Sequence, residues 1–393
     1  MTLNERFQRI DALGQRLVRM GSFSGIEWKV TRGGLHWASG RAGQAEALVG
    51  RDMAQVPIYR IFSMTKPIIS AIALMLIEAG RLKLYHPVAR YLPEFGSLRV
   101  WQVGGDTVPA QSAVTIEHLM SHRAGLSYGF LPDCPVAPLY RQSDLHNPAV
   151  SLGDYVGRIA TLPLAFEPGT GWQYSVATDV LARVLEIILG DTIQAIVARY
   201  ITIPLGMKDT DYMVAPDKRH RIMAIYGHST LDDVMQIRGG AQKLTASSVA
   251  GECPADNPDY GRGGVGLFST LADYHVLAEM LRTGLAQGGN RLLSRAALRL
   301  MWSNRLPATL LPLKIGAINL PGYGFGLAGR VMLDLGQAQS LGAVGECGWA
   351  GAASTYFWID RDREMTGVVM AQYLGSAIPI GEEFKDAVYQ AFD

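Results

Sequence analysis

Cysteine, charge and long apolar runs are all scarce in this chain of 393 residues. Its three cysteines, Cys134, Cys253 and Cys347, are too few and too scattered for a disulfide framework, and none forms a C-x-x-C pair suited to zinc or redox chemistry. Reduced, buried thiols are expected. Charged residues make up 18% against the ~25% of an average globular chain, while 48% are hydrophobic, a balance that excludes intrinsic disorder. The 36 Lys and Arg against 35 Asp and Glu leave a formal charge of +1, so no long-range field recruits nucleic acid or an anionic membrane. The most apolar stretch, Pro67 to Ile77, falls far short of the ~20 residues that cross a bilayer and reads as a core helix. The opening Met-Thr-Leu-Asn-Glu-Arg-Phe-Gln-Arg-Ile lacks a basic start followed by an apolar stretch, which predicts cytoplasmic residence. No internal repeat, low-complexity tract or charge block is present.

What is there is enough apolar sequence for a large core, two to three times the ~100–200 residues of one domain. Leu3, Phe7, Ile10, Leu13 and Leu17 recur at helical spacing. The period then changes: Ile26, Trp28 and Val30 alternate with Glu27 and Lys29, and with the Thr31-Arg32-Gly33-Gly34 turn and Leu35 to Ser39 they predict an antiparallel hairpin. Thr65 to Ala79 predicts a buried helix, with Pro67 in its first turn and Gly80 as its stop. From about 86 to 254 helical patterns and proline-bearing loops dominate. Near the other end, Ala352 to Ile359 and Met365 to Tyr373 read as strands joined by Asp360-Arg361-Asp362-Arg363, and Glu382 to Phe392 as a closing helix. The expected fold is α/β of the α+β type, with one antiparallel sheet flanked by helices and completed by both ends of the chain. Its outer unit is residues 1–85 plus 255–393, and 86–254 is a mainly helical insertion. The seam between the two is the natural place for a ligand cleft.

The strongest chemical signal is Phe62-Ser63-Met64-Thr65-Lys66-Pro67 at the start of the buried helix. One helical turn brings a hydroxyl and an amine three residues apart to the same face. A serine is a poor nucleophile until a neighbouring base takes its proton, and a lysine amine in apolar surroundings gives up its own proton more readily. At a helix N-terminus Ser63 would also offer its backbone N–H to a developing oxyanion. Taken alone, the same residues fit a Ser or Thr helix cap beside an incidental lysine.

The surrounding segments resemble the family of class C β-lactamases, penicillin-recognising DD-peptidases and the β-lactamase-like (family VIII) carboxylesterases. Beside Ser63-Met64-Thr65-Lys66, the resemblance is carried by Ile77-Glu78-Ala79-Gly80-Arg81-Leu82 leading to Pro87-Val88-Ala89-Arg90-Tyr91-Leu92-Pro93. It continues through Leu119-Met120-Ser121-His122-Arg123-Ala124-Gly125-Leu126, Glu167-Pro168-Gly169-Thr170 before Tyr174-Ser175, Gly263 to Thr270, and Gly348-Trp349-Ala350-Gly351. These segments follow the family's order over most of the chain. The resemblance implies a β-lactamase/transpeptidase-like fold and a second catalytic element at Tyr174-Ser175-Val176. There the turn Glu167 to Gly171 precedes Tyr174, and Ser175 is placed to cap a helix running to Gly190. A tyrosine acts as a base only if a nearby cation favours its phenolate, and Lys66 is the implied cation.

The family's third element, usually K-T-G or H-T-G on a strand beside the site, is matched by Trp349-Ala350-Gly351. The resemblance implies that the backbone N–H of Ala352 joins that of Ser63 as oxyanion donors, while Gly351 leaves room for substrate against the strand. Two departures bear on specificity. Trp349 offers an aromatic wall where Lys or His would meet the carboxylate of a lactam or peptide. Val176 replaces the Asn that holds an acylamide side chain, and an amide buried without that partner binds poorly. Both are expected to border substrate, with Tyr128 and Phe130 lining the acyl pocket or, alternatively, packing in the core.

Three other patterns are weighed and set aside. Gly125-Leu126-Ser127-Tyr128-Gly129 satisfies G-x-S-x-G, but no strand leads into Ser127, so that serine is read as structural. Gly261 to Gly266 fits G-x-G-x-x-G, yet Pro254-Ala255-Asp256-Asn257-Pro258 stands where a strand should precede it; a tight turn near the cleft is expected, with Thr270 and Asp273 as a capping box. His118 and His122 are four apart without the Glu of H-E-x-x-H, Glu117 being the only carboxylate close by, and no metal site is expected. His122 is read as structural.

The expectation is therefore a cofactor-free, metal-free serine hydrolase of small neutral carboxylic esters, with Ser63, Lys66 and Tyr174 catalytic and Ser63 and Ala352 forming the oxyanion hole. Alternatives with the same machinery are a β-lactamase, a D-amino-acid peptidase or amidase, or an acyltransferase. A catalytically silent binding or filament-forming relative is the alternative of another class.

Overall fold

In the computed structural model the described residues are 3–236 and 242–392. Met1 and Thr2 of the opening run, 237–241 within the inserted stretch and residue 393 lie outside them. Helix α1, Leu3–Arg19, buries Ile10, Leu13 and Leu17 along one side. Strands β1 (Gly25–Arg32) and β2 (Leu35–Gly43) form the hairpin, and Gly33 and Gly34 take φ of 59° and 76° in its turn. Two-residue hairpin loops favour such positive φ because their twist matches the strands. Helix α2, Lys66–Glu78, is entered through a single tight turn, Phe62–Thr65. Next come α3 (Ile116–Met120), α4 (Leu152–Ala160) and α5 (Ala177–Leu189), then α6 (Leu271–Thr283). The chain closes with β3 (Tyr323–Phe325), β4 (Arg330–Met332), β5 (Cys347–Gly351), β6 (Thr355–Asp360), β7 (Met365–Met370) and helix α7 (Ile380–Phe392).

The seven strands form one sheet in the order β3-β4-β5-β6-β7-β1-β2. Every neighbouring pair is antiparallel. Both ends of the chain meet where β7 pairs with β1, with Trp28 opposite Val369. Alternate side chains of one strand feed two cores. Tyr356 and Trp358 join Leu13, Phe384 and Val388 of the terminal helices, whereas Phe357 and Ile359 join Tyr274 of α6 and the apolar side of α2. Burying each such side chain is worth about 1.5–3 kcal/mol, so helices on both faces hold the sheet.

Strand β6 starts three residues later than the apolar run suggests. Gly351 pairs with Thr355, so Ala352 to Ser354 must reverse the chain, and Ser354 does so with φ of 64°. The following run leaves the sheet after Met370, and Tyr373–Leu374 pairs in parallel with Tyr226–Gly227 instead. Between 86 and 254 lie α3 to α5, further short helices and a two-stranded ribbon, Arg99–Trp101 with Thr107–Pro109. Ile222 bridges Ile58, so the stretch from 222 to 227 already runs beside the sheet-bearing part. No helix among the described residues is long and apolar enough to cross a membrane.

Candidate active site

The turn that opens α2 presents Ser63 while its neighbours hold it from below. Phe62, Met64 and Thr65 are buried, and Phe62 takes a φ of 42°, a conformation that bulky residues rarely adopt. The turn is pressed against β5. A Cβ on Gly351 would stand 2.4 Å from Ile61 O and 2.2 Å from Thr355 Oγ1, so only glycine lets the strand approach the segment before Ser63 this closely. Ser63, Ala350, Gly351 and Ala352 thereby line the same cavity of about 710 Å³. Among the described residues the backbone N–H groups of Ser63 and Ala352 are taken by no turn or loop carbonyl.

Lys66 lies one turn below Ser63 and is 2% exposed. Its Nζ donates to Ser63 Oγ at 3.3 Å and to Gly264 O at 2.9 Å. The same nitrogen sits 4.7 Å from the ring centre of Tyr174 and 5.2 Å from that of Tyr128. Tyr174 stands before α5 and is fixed by its chain neighbours: Gln173 N–H donates to His122 O at 3.0 Å, and Val176 N–H to Ser127 O at 3.3 Å. Trp349 Nε1–H donates to Tyr174 Oη at 3.3 Å. Ser63, Lys66, Tyr174 and Trp349 therefore converge from the first turn of α2, the entry to α5 and strand β5.

Ser175 lies one residue before the formal N-cap of α5, yet its hydroxyl takes the N–H of the first helical residue, as expected of a cap. Val176 holds the N-cap position of α5 without a side-chain cap. The Ser175 hydroxyl sits 3.1 Å from His122 Nδ1 and accepts from Ala177 N–H at 3.3 Å. His122 is fully buried, and burial followed by the nearby charge of Lys66 pushes its imidazole well below the usual histidine range. It stays neutral and braces both residues beside Tyr174, in keeping with the structural reading of His122.

Val176 was expected to border substrate, and the structure corrects this. Its side chain is 1% exposed, belongs to the main apolar core and does not line the cavity. The bond from its backbone N–H to Ser127 O seats it at the start of α5, whose first residues are buried. Tyr128 and Phe130 do line the cavity, stacked with ring centres 4.7 Å apart. Tyr128 Oη is buried without a hydrogen-bond partner, and burial, then the charge of Asp179, raises its phenol well above the ordinary range. It is a neutral hydroxyl.

The set-aside motifs are occupied otherwise. Ser127 is 0% exposed, and its Oγ contacts Tyr128 O and Cys134 Sγ, each at 3.1 Å. His118 completes a capping box with Thr115 at the start of α3. Thr270 caps α6 by accepting from Asp273 N–H, but the Asp273 carboxylate turns to Asp209 N and Thr210 Oγ1, so only half of that expected box forms. All three cysteines are buried and free.

A buried amine touching a semi-exposed serine hydroxyl, a phenol beside the amine and two backbone N–H groups that no turn or loop carbonyl takes suit nucleophilic attack on a carbonyl. The family model described as Beta-lactamase matches residues 10–385. Protein Rv1367c of Mycobacterium tuberculosis is 31% identical over 82% of this chain and 79% of its own length. Esterase EstB of Burkholderia gladioli is 28% identical over 97% of this chain and 94% of its own. Among solved structures, EstCE1, described as a hydrolase with promiscuous acyltransferase activity, superposes with a TM-score of 0.80 at 25% identity, covering 98% of both chains.

Proposed function

The chain belongs to the Beta-lactamase family, and from that premise we propose that it cleaves small neutral carboxylic esters through an acyl-enzyme on Ser63. It is a serine hydrolase of the β-lactamase-like fold. In the proposed cycle Ser63 Oγ attacks the ester carbonyl while Lys66 and Tyr174 take its proton and return it to the leaving alcohol. The backbone N–H groups of Ser63 and Ala352 stabilise the tetrahedral oxyanion, and water attacks the acyl-enzyme with Tyr174 and Lys66 again as base.

One observation carries the preference for esters. The strand beside the nucleophile presents Trp349-Ala350-Gly351-Ala352, four uncharged residues, and the single donor of Trp349 is engaged by Tyr174 Oη. A substrate carboxylate finds no cation on that wall, whereas an apolar ester meets an aromatic surface. Resemblance to Esterase EstB supports the same choice. A second reading, acyl transfer to an alcohol, is favoured by the cavity: about 710 Å³ is ample for an acceptor alcohol beside a small acyl group. The three unpaired cysteines support residence in a reducing compartment, the cytoplasm.

The test is parallel kinetics of the wild type and Ser63→Ala on p-nitrophenyl butyrate and nitrocefin. The expected result is ester turnover that the substitution abolishes and a lower kcat/KM for the lactam. A higher kcat/KM for nitrocefin would reverse the substrate assignment, and undiminished turnover by Ser63→Ala would remove the nucleophile.

A further inference from the structure

The glycine run from 261 to 266 faces the nucleophile pair. A Cβ on Gly264 would lie 2.7 Å from Asp179 Oδ2, 2.8 Å from Tyr128 Oη and 3.2 Å from Lys66 Nζ. Three polar side-chain ends thus converge on the face that a side chain would fill. Gly263 presses on α5 in the same way, since a Cβ there would meet Thr178 O at 2.1 Å.

Asp179 sits in the first turn of α5 but does not cap its own helix. Its carboxylate reaches across to the glycines: Gly264 N–H donates to Oδ1 at 2.8 Å, and Gly263 N–H also supports it. The carbonyl of Gly264 in turn accepts from Lys66 Nζ at 2.9 Å, and that nitrogen reaches Ser63 Oγ. Asp179 is 1% exposed. Burial raises its carboxyl above the usual carboxylate range, and the Lys66 charge and the two glycine N–H groups act in the opposite direction. A carboxylate kept inside a core is costly unless donors and a counter-charge surround it. Here the counter-charge is the amine beside the nucleophile.

We infer that Asp179 is a positioning residue for the Ser63–Lys66 pair: its carboxylate holds Gly264 by the backbone N–H, and the carbonyl of the same residue aims the Lys66 amine at Ser63. The inference rests on Ser63 being the nucleophile. Lysine hangs on four flexible carbons, and an error of about 1 Å in a reacting geometry can cost about 10²-fold in rate. An anchored carbonyl removes that freedom, and the two glycines are needed because any side chain would push the peptide off α5 or displace Lys66.

Asp179→Asn keeps the shape and one acceptor oxygen while removing the charge and the second acceptor. On p-nitrophenyl butyrate it should lower kcat about 10- to 100-fold with KM held within about 2-fold, and slow fluorophosphonate labelling of Ser63 by the same factor. Wild-type kcat and labelling rate in a folded Asp179→Asn protein would overturn the inference. Should that variant fail to fold, Gly264→Ala decides, because its Cβ meets only the ends of side chains. It should fold, keep KM and lose kcat, and wild-type kcat would overturn the inference. Ser63→Ala run alongside separates the two failures: activity there removes the nucleophile itself, whereas an inactive Ser63→Ala beside a fully active Asp179→Asn removes only the positioning role.

Discussion

Trp349 Nε1 and Tyr174 Oη are 3.3 Å apart, with the indole as donor. The tryptophan that lines the cavity therefore also orients the phenol beside Lys66. A hydrogen bond to a neutral phenol contributes about 0.5–1.5 kcal/mol, and one to a charged oxygen about 1.5–3 kcal/mol. The size of the loss on removing it reports the charge on Tyr174 during turnover.

Trp349→Phe keeps an aromatic wall and removes the donor. On p-nitrophenyl butyrate, kcat is expected to fall by about 10-fold or more, the range of a bond to a charged oxygen. A change confined to KM would reduce Trp349 to a wall alone.

Ser127→Ala separates the two serine motifs. Its hydroxyl bonds only inside the core, so kcat should stay within about 2-fold while unfolding free energy drops by about 1 kcal/mol. Loss of activity in a folded Ser127→Ala protein would contradict the choice of Ser63.

How far the sequence discloses this site depends on distance along the chain. Ser63 and Lys66 share one turn, so their meeting follows from helical spacing. Tyr174, Trp349 and Ala352 are indicated only by motif order, since Tyr174 and Trp349 lie 175 residues apart. Gly264 is marked only as part of a glycine run near the cleft and Asp179 carries no local signal, because their link spans 85 residues and depends on a glycine packed against a helix. Val176 was misplaced because a motif position does not tell which way a helix N-cap turns its side chain. In the fold, period-2 alternation marks β1 and continuous apolar runs mark β6 and β7, both buried along their whole length, whereas the two-residue pairings at 226–227 and 373–374 are too short to show any period.

His275 supplies a pH test. Its Nε2 lies 3.1 Å from Thr31 Oγ1. Burial, then the charge of Lys29, pushes its imidazole down to about 4, against about 6.5 for a free histidine. The unfolded chain therefore takes up this proton at higher pH than the folded one. Its contribution to stability is present above about pH 6.5 and is lost as pH falls towards about 4. Compared with the wild type, His275→Gln should lessen the loss of stability on acidification across that window, by at most about 1.4 kcal/mol per pH unit. Urea unfolding as a function of pH measures it, and identical slopes would contradict the buried neutral imidazole.

The covalent step on Ser63 is the claim on which the rest depends. It is tested most directly by acid-quenching the wild type during turnover of p-nitrophenyl butyrate and measuring intact mass, followed by peptide mapping. The account predicts a single butyryl adduct on the peptide carrying Ser63, absent from Ser63→Ala. An adduct on Ser127, or Ser63→Ala turning over the ester at the wild-type rate, would contradict it.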